Sequence, residues 1–573
     1  MRPRVWQPAE ALSAVEQTII RRIKRAKLFV FLRLWRHALF APAFQAELAT
    51  VYRDSPLGQP PIAPAQLALA TILQVYTGVS DDEVIEATLM DRRWQLVLDC
   101  LDTETAPFSK GTLVGFRQRL IAHDLDRRLI ERTVELAEQT DGFGPARARA
   151  LRVALDSSPL WGAGRVEDTL NLLGHALRKA LALVARQTAR SLAAVATVAG
   201  APVLGGTSLK AALDLDWTDP ATRDRALGQV LGALEAVEGY LAGQSLGEAG
   251  PAIQASLATA HQVRVQDVVV VGSLQPPMAG ATPPRAAGPR TRRSRLLVPP
   301  ALLVGGVAAV AVAGSPSGHA VLREGVARDR RISIEDATMR HGRKSRTQRI
   351  DGYKRHVVRD LDRSLIRAVA ITPANVPEAQ ATDALVADLA RQRLPLGELH
   401  IDRAYLSSTL VRERPDDLTI FCKAWPVHPS GDRFAKTAFH LDWEQHTIRC
   451  PREVVLPFAP GGTVHFPAEV CATCPLRVRC TSSAHGRSVA IHPDERLLAE
   501  LRERQETPAG RAQLRERVAV EHTLAHVGQW QGDRARYVGA RKNLFDLRRT
   551  AVVENLHIIA RAPAHPAIFA YPN

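Results

Sequence analysis

The chain has 573 residues, 46% of them hydrophobic and 23% charged, with six cysteines. That length predicts two to four domains, and so few cysteines exclude a secreted, disulfide-stapled scaffold. Lys and Arg number 75 against 59 Asp and Glu, a formal net charge of +16. Such an excess points to a polyanionic partner, nucleic acid or an anionic membrane, with a merely basic soluble protein as the plain alternative.

The opening MRPRVWQPAEALSAVEQ lacks the apolar stretch of a signal peptide, so a cytoplasmic protein is expected. Residues 8–140 read as helices. Leu67, Ala70, Ile72 and Val75 recur at helical spacing after Pro64, which suits a first turn. Ser80 before Asp81, Asp82 and Glu83 predicts the next helix start, and 109–125 predicts a further amphipathic helix. This pattern fits a helix-turn-helix reader and a plain helical bundle equally. Residues 21–36 carry seven basic residues and no acid, which tilts the choice towards DNA phosphates.

At 150–158, Val153 and Leu155 alternate with Ala154 and Asp156, a short strand ending on an acid. Residues 165–260 return to helix. Residues 271–320, rich in Pro, Gly, Ala and Arg, read as a linker or insertion. Within them 296–314 carries no charge and is long enough to span a bilayer, but Pro299, Pro300, Gly305 and Gly306 would break such a helix.

Beyond 350 two strands are expected, IDGYKRHVVRD and RSLIRAVAITP, turning near Asp360 and Asp362. An amphipathic helix follows at 376–394. In LGELHIDRAYLSS, Leu399 and Ile401 face one side of a strand, His400 and Asp402 the other. A short strand is expected at 417–424. Thr507 and Pro508 then cap a long helix running to about Trp530. Leu514 and Val518 form its expected inward stripe, and Glu521 continues that stripe, with Arg517 one turn earlier to pair with it.

This succession is the element order of a ribonuclease-H-like fold, interrupted twice. Two-metal phosphoryl transfer needs carboxylates gathered in such a fold, because two divalent ions about 4 Å apart activate the attacking oxygen and stabilise the leaving one. Asp156, Asp402 and Glu521 are the candidate catalytic and metal-binding residues, with Mg²⁺, or Mn²⁺, as two ions. Singly, each has an ordinary reading: a turn acid, a strand-end acid beside Arg403, and an i,i+4 ion pair.

Blocks along most of the chain resemble the insertion-sequence DDE transposases that carry a helical N-terminal domain. They include PIAPAQLALATILQVYTGVSDDEVIEATLMDRRWQLVLDC, VALDSSPLWG, LHIDRAYLSS and RERVAVEHTLAHVGQWQGDRARYVGARKNLFDLRRTAVVENLHII. The resemblance implies a first acid at Asp156, a second in the D-x-x-Y block from Asp402 to Tyr405, and a third at Glu521, four residues after Arg517. Many relatives place Tyr three residues before that Arg and Lys seven after the Glu; here those positions are Leu514 and Gly528. The resemblance further implies a bacterial, nucleoid-associated enzyme that cuts at terminal inverted repeats and joins the freed 3′-hydroxyl to target DNA, as a dimer or larger assembly and without a membrane. A nuclease that cuts without strand transfer, and an inactive DNA-binding relic or repressor, are the alternatives.

Two basic runs are candidate DNA contacts. In 340–359 they are Lys344, Arg346, Lys354 and Arg355; in 534–549, Arg541 and Lys542, with Tyr537 to stack on a base. Arg517 joins this set. Cys450, Cys471, Cys474 and Cys480 form a candidate structural Zn²⁺ site, with His440, His446 and His465 as alternative ligands; Cys100 and Cys422 read as core. The expected fold class is α/β: a ribonuclease-H-like core with a mixed sheet, an all-α N-terminal domain and a largely helical insertion. The expected boundaries are 1–145 for the helical DNA-binding domain, 146–164, 321–425 and 501–573 for the catalytic domain, 165–320 for the helical insertion with its linker, and 426–500 for the cysteine-containing insertion.

Overall fold

The structure is a computed structural model that describes residues 2–54, 57–140, 150–213, 215–219, 221–272, 318–344, 347–429 and 431–562. The apolar stretch 296–314 and Arg346 lie outside the described residues. The chain divides into two compact units, Met1–Arg165 with Glu335–Asn573, and Val166–Ile334.

The first unit opens with short helices, Ala14–Arg22, Lys27–Leu39 and Pro42–Ala49, then α1 (Pro64–Thr77), Asp81–Met90, Arg92–Leu98, Lys110–Ala122 and α2 (Asp126–Glu138). Local chemistry sets their ends. Pro64 sits in the first turn of α1, where its missing N–H leaves nothing unpaired, and Gly78 closes the helix at φ 74°. Ser80 and Glu83 cap each other's backbone at the start of the next helix. Nearly every side chain of α1 from Pro64 to Val75 is buried, as befits a helix that is apolar on all sides.

The main sheet contains β1 (Leu151–Trp161), β2 (Arg340–Arg343), β3 (Arg349–Asp360), β4 (Ile366–Pro373), β5 (Leu396–Ile401) and β6 (Thr419–Phe421). It is mixed. β3 is antiparallel to β1, β2 and β4, whereas β1–β5 and β5–β6 are parallel. The order is β3-β1-β5-β6, with β2 and β4 sharing the outer edge of β3 end to end. β2 falls inside the basic run, where the charges hide the alternation of a strand.

The period of two sorts these strands between two cores. Ala154, Val357 and Val369 face one side; Val153, Leu155, Val358, Ala368, Leu399 and Ile401 face the other. The second side is covered by α3 (Thr382–Ala390) and the helix Glu495–Glu506, through Leu385, Leu389, Leu497, Leu498 and Leu501. The first side carries α4 (Val518–Gln531) and α5 (Ala540–Ala560), and its core runs on without a break into the N-terminal helices. α5 packs on α1, α2 and β4. The N-terminal helices thus share the core of the sheet.

Two expected helices came out differently. The segment 376–394 begins as a 3-10 turn, Glu378–Ala381, and only then becomes α3. The long helix from Thr507 breaks at Arg517, which ends Pro508–Glu516 and starts α4. Between β6 and Glu495–Glu506, small strands at His440–Asp442, Thr447–Arg449 and Val455–Pro457, and at Thr463–His465 and Ser488–Ala490, enclose a core of their own.

In the second unit, helices Thr169–Gln187, Leu192–Val198, Thr222–Ala242 and Gly250–Asp267 bury Leu173, Leu177, Leu227, Leu234 and Ile253 together. Asp168 caps the first of them. A two-stranded antiparallel ladder joins 268–272 to 318–322. No helix among the described residues is long and apolar enough to cross a membrane.

Candidate active site

β1 and β5 run parallel with Leu155 opposite Ile401. The next residue in each case is an acid, Asp156 within β1 and Asp402 just past the end of β5, so the register brings the two close together across neighbouring strands, whose backbones lie about 4.8 Å apart. Alternation turns both acids away from the core that holds Leu155 and Ile401, towards the face that carries α4. Asp402 also caps the turn Arg403–Tyr405, accepting from Arg403 N at 2.7 Å.

α4 is fastened to the sheet near both ends by arginines of β3. Arg359 donates to Ala519 O at 2.8 Å and Thr523 Oγ1 at 2.6 Å. Arg355 donates to Ser158 Oγ at 2.7 Å, Gln531 Oε1 at 3.2 Å and Gly532 O at 2.9 Å. A Cβ at Gly528 would lie 3.3 Å from Arg355 Nη2, so the guanidinium passes close where the helix has no side chain. Val520, Leu524 and Val527 point into the core. This corrects the expected stripe: Val518 is exposed and Glu521 is 47% exposed, because the helix restarts at Arg517. Glu521 faces a cleft instead.

That cleft has a volume of about 1170 Å³, and Asp156, Asp402, Glu521, Arg517, Lys344 and Trp161 all line it. Arg517 donates from Nη1 to Asp156 Oδ2 and from Nη2 to Glu521 Oε1, each at 2.6 Å. Burial raises the Asp156 carboxyl above the ordinary aspartate value; the Ser157 N–H and Arg517 oppose the shift, and Asp402 and Glu521 add to it. As the side chains stand, no three His, Cys, Asp or Glu donors among the described residues are close enough to hold one ion. The Arg517 guanidinium, with its single positive charge, sits between two of the acids.

Beneath the acids lies a neutral polar layer. His356, opposite Ser157 in the β1–β3 ladder, shares hydrogen bonds with Tyr405 Oη at 2.8 Å and Thr372 Oγ1 at 2.9 Å. Burial pushes the His356 imidazole down to about 3, so it stays uncharged.

The basic residues divide. Lys344 is exposed at the cleft and Lys542 is exposed on α5. The others are engaged within the fold. Lys354 is buried, pairing with Glu378 at 2.9 Å and donating to Val376 O. Arg355 is buried in the contacts given above. Arg541 grips Asp126, whose side chain is 1% exposed. Tyr537 Oη accepts from Arg549. Of the seven basic residues at 21–36, Arg33 and Arg36 are buried, held by Glu16 and by the carbonyls of Leu96 and Val97. Arg22, Lys24 and Arg25 line an open groove of about 790 Å³ with Arg92 and Arg93.

Two features escaped the sequence reading. Trp161, 41% exposed, ends the strand that carries Asp156 and borders the cleft; an aromatic five residues beyond the acid was the available signal. The reach of Arg517 to Asp156 is a contact between distant parts of the chain and had none.

Cys100 and Cys422 are buried, and burial raises their thiols to about 11 and about 12. Cys450, Cys471, Cys474 and Cys480 are half-buried free thiols lining one cavity of about 30 Å³.

Residues 327–419 and 461–560 each match a family model described as a transposase DDE domain, and residues 23–119 match one described as a transposase domain, DUF772. Together they cover about half of the chain. No curated protein and no solved structure matches it.

Proposed function

We propose, on the premise that this chain belongs to the insertion-sequence DDE transposases, that it cuts DNA at the ends of a mobile element and joins them to target DNA, with Asp156, Asp402 and Glu521 as its catalytic carboxylates. The observation that carries this reading is the parallel register of β1 and β5, which brings two acids close together under a third on α4. The strand order and directions fit a ribonuclease-H-like core.

Asp156, Asp402 and Glu521 offer the oxygen donors that a pair of Mg²⁺ or Mn²⁺ ions takes, and their side chains would have to turn towards one another to hold them. All are oxygen donors, all border one cleft, and a cationic group already bridges two of them. Bound there, two such ions supply Lewis-acid activation of the attacking oxygen and charge stabilisation of the leaving one. The chain's own residues do the rest. The carboxylates hold the charge. Arg517 offsets part of the charge of Asp156 and Glu521 until DNA arrives, then turns to a phosphate. The His356–Tyr405 layer holds the backbone around Ser157 without adding charge. In the first step a water oxygen bonds to phosphorus and the bond to O3′ breaks. In the second the freed 3′-oxygen attacks a target phosphodiester and expels another 3′-oxygen, so no covalent protein intermediate is required.

Lys344 and Lys542 contact phosphates, and Trp161 stacks on a base displaced at the cut. The groove of Arg22, Arg25, Arg92 and Arg93 gives the N-terminal helices their hold on the repeat. Two ends must meet, so the working form is a dimer or larger assembly on DNA. The test uses duplex DNA carrying the inverted repeats that flank the gene, with Mg²⁺, and resolves nicked, excised and joined products. Joined products support the proposal. Cutting without joining reduces it to a nuclease, and binding without cutting to a repressor.

A further inference from the structure

The module between β6 and the helix Glu495–Glu506 contains chemistry that DNA cleavage does not use. Its strands are three residues each, and its core rests mainly on Phe439, Phe458 and Phe466 with a few aliphatic side chains. Strands that short are not self-supporting, and small cores of this kind are commonly held by a disulfide or a metal. Cys450, Cys471 and Cys480 pack against this core, and with Cys474 they border the same cavity. Its volume of about 30 Å³ leaves room for one small guest.

Each cysteine sits where the backbone is fixed. Cys450 follows the strand Thr447–Arg449 and opens a tight turn in which Arg452 N–H points at its Sγ at 3.4 Å. Backbone donors of this kind stabilise a thiolate and tune a bound metal. Cys471 lies in the helix Ala468–Ala472, Cys474 in the turn just after it, and Cys480 ends Arg477–Cys480. Arg452, Arg477 and Arg487 line the cavity too, and their charge offsets the excess negative charge of four thiolates around a divalent ion.

We propose that Cys450, Cys471, Cys474 and Cys480 bind one Zn²⁺ as a four-thiolate structural site that holds this module together. Soft thiolates in tetrahedral number select zinc, and each thiol releases its proton to solvent as it ligates, with no change of oxidation state. The thiols are not drawn together as the side chains stand; ligation requires them to rotate inward across the cavity they already share. The site is independent of the carboxylate cleft and of the reaction proposed for it.

The test is metal analysis of the full-length protein, expressed with zinc and purified under reducing conditions. About one zinc per chain is expected, since one four-coordinate site is proposed. Cys474→Ser and Cys480→Ser should each lose it, and Cys100→Ser should keep it. Should the serine variants fail to fold, Co²⁺ loaded into the wild-type chain reads the ligands directly, and thiolate-to-cobalt charge-transfer absorption of a tetrahedral site is expected. No zinc in the wild type, zinc retained in both serine variants, or a cobalt spectrum of oxygen and nitrogen ligands alone would overturn the assignment.

Discussion

Arg517 reaches across 361 residues of sequence to donate to Asp156 Oδ2 at 2.6 Å. Its other terminal nitrogen is committed to Glu521. One guanidinium therefore holds acids from a strand and a helix in a single cleft.

Arg517→Ala should leave Asp156 and Glu521 facing each other without a counter-charge. We expect a lower thermal midpoint in metal-free protein and a restored midpoint in Mg²⁺, which takes over the neutralising role. Arg517→Lys should recover only part of the effect, since a single ammonium nitrogen replaces the two terminal nitrogens that each hold one carboxylate. Equal destabilisation with and without Mg²⁺ would make Arg517 an ordinary structural arginine.

The raised Asp156 carboxyl sets a pH dependence. An acid whose folded value lies above its unfolded one favours the native state when protonated. Its contribution is fully present below the ordinary value near 3.8 and is lost as pH rises through the folded value. At neutral pH the metal-free protein therefore carries Asp156 at a cost. Asp156→Asn should raise the midpoint of chemical unfolding at pH 7 in the absence of metal, and the gain should vanish below pH 3.8. A variant less stable than wild type at pH 7 would contradict the shift.

The exposed and the engaged basic residues should separate in one experiment. Lys344→Ala and Lys542→Ala should weaken binding to repeat and random DNA alike, each lowering the salt slope by about one unit. Arg541→Ala should instead cost about 1 kcal/mol of stability, because it strips a partner from buried Asp126. A salt slope lowered by Arg541→Ala with stability unchanged would return that residue to the DNA.

Asp156 and Asp402 were legible because a strand's period of two marks which residues share a face, and both followed an apolar alternation. Glu521 was found through a stripe that the structure does not contain: the helix restarts at Arg517, and the buried positions are Val520, Leu524 and Val527. Its other mark, the place four residues after Arg517, does not depend on burial. The basic runs misled for a related reason. A local count of charges does not register partners far away in sequence, and Lys354 and Arg541 are paired with Glu378 and Asp126. Pro64 and Ser80 set their helix ends by local chemistry and were legible as they stand.

Trp161 offers a test of how the cut strand is held. Its ring is exposed beside the acids, and base stacking on such a ring contributes about 1–3 kcal/mol. Trp161→Ala should weaken binding of repeat ends with unpaired terminal bases and leave fully duplex DNA nearly unaffected. Equal loss on both would mean the ring packs against protein or backbone.

The most direct measurement is single-turnover cleavage of a repeat-end duplex in Mg²⁺ by wild type and by Asp156→Ala, Asp402→Ala and Glu521→Ala, with exposed Glu413→Ala as control and DNA binding measured in parallel. The account predicts cleavage at background in all three acid variants, binding within a few-fold of wild type, and full activity in the control. Substantial cleavage by any one acid variant that still binds DNA would contradict a shared three-carboxylate centre.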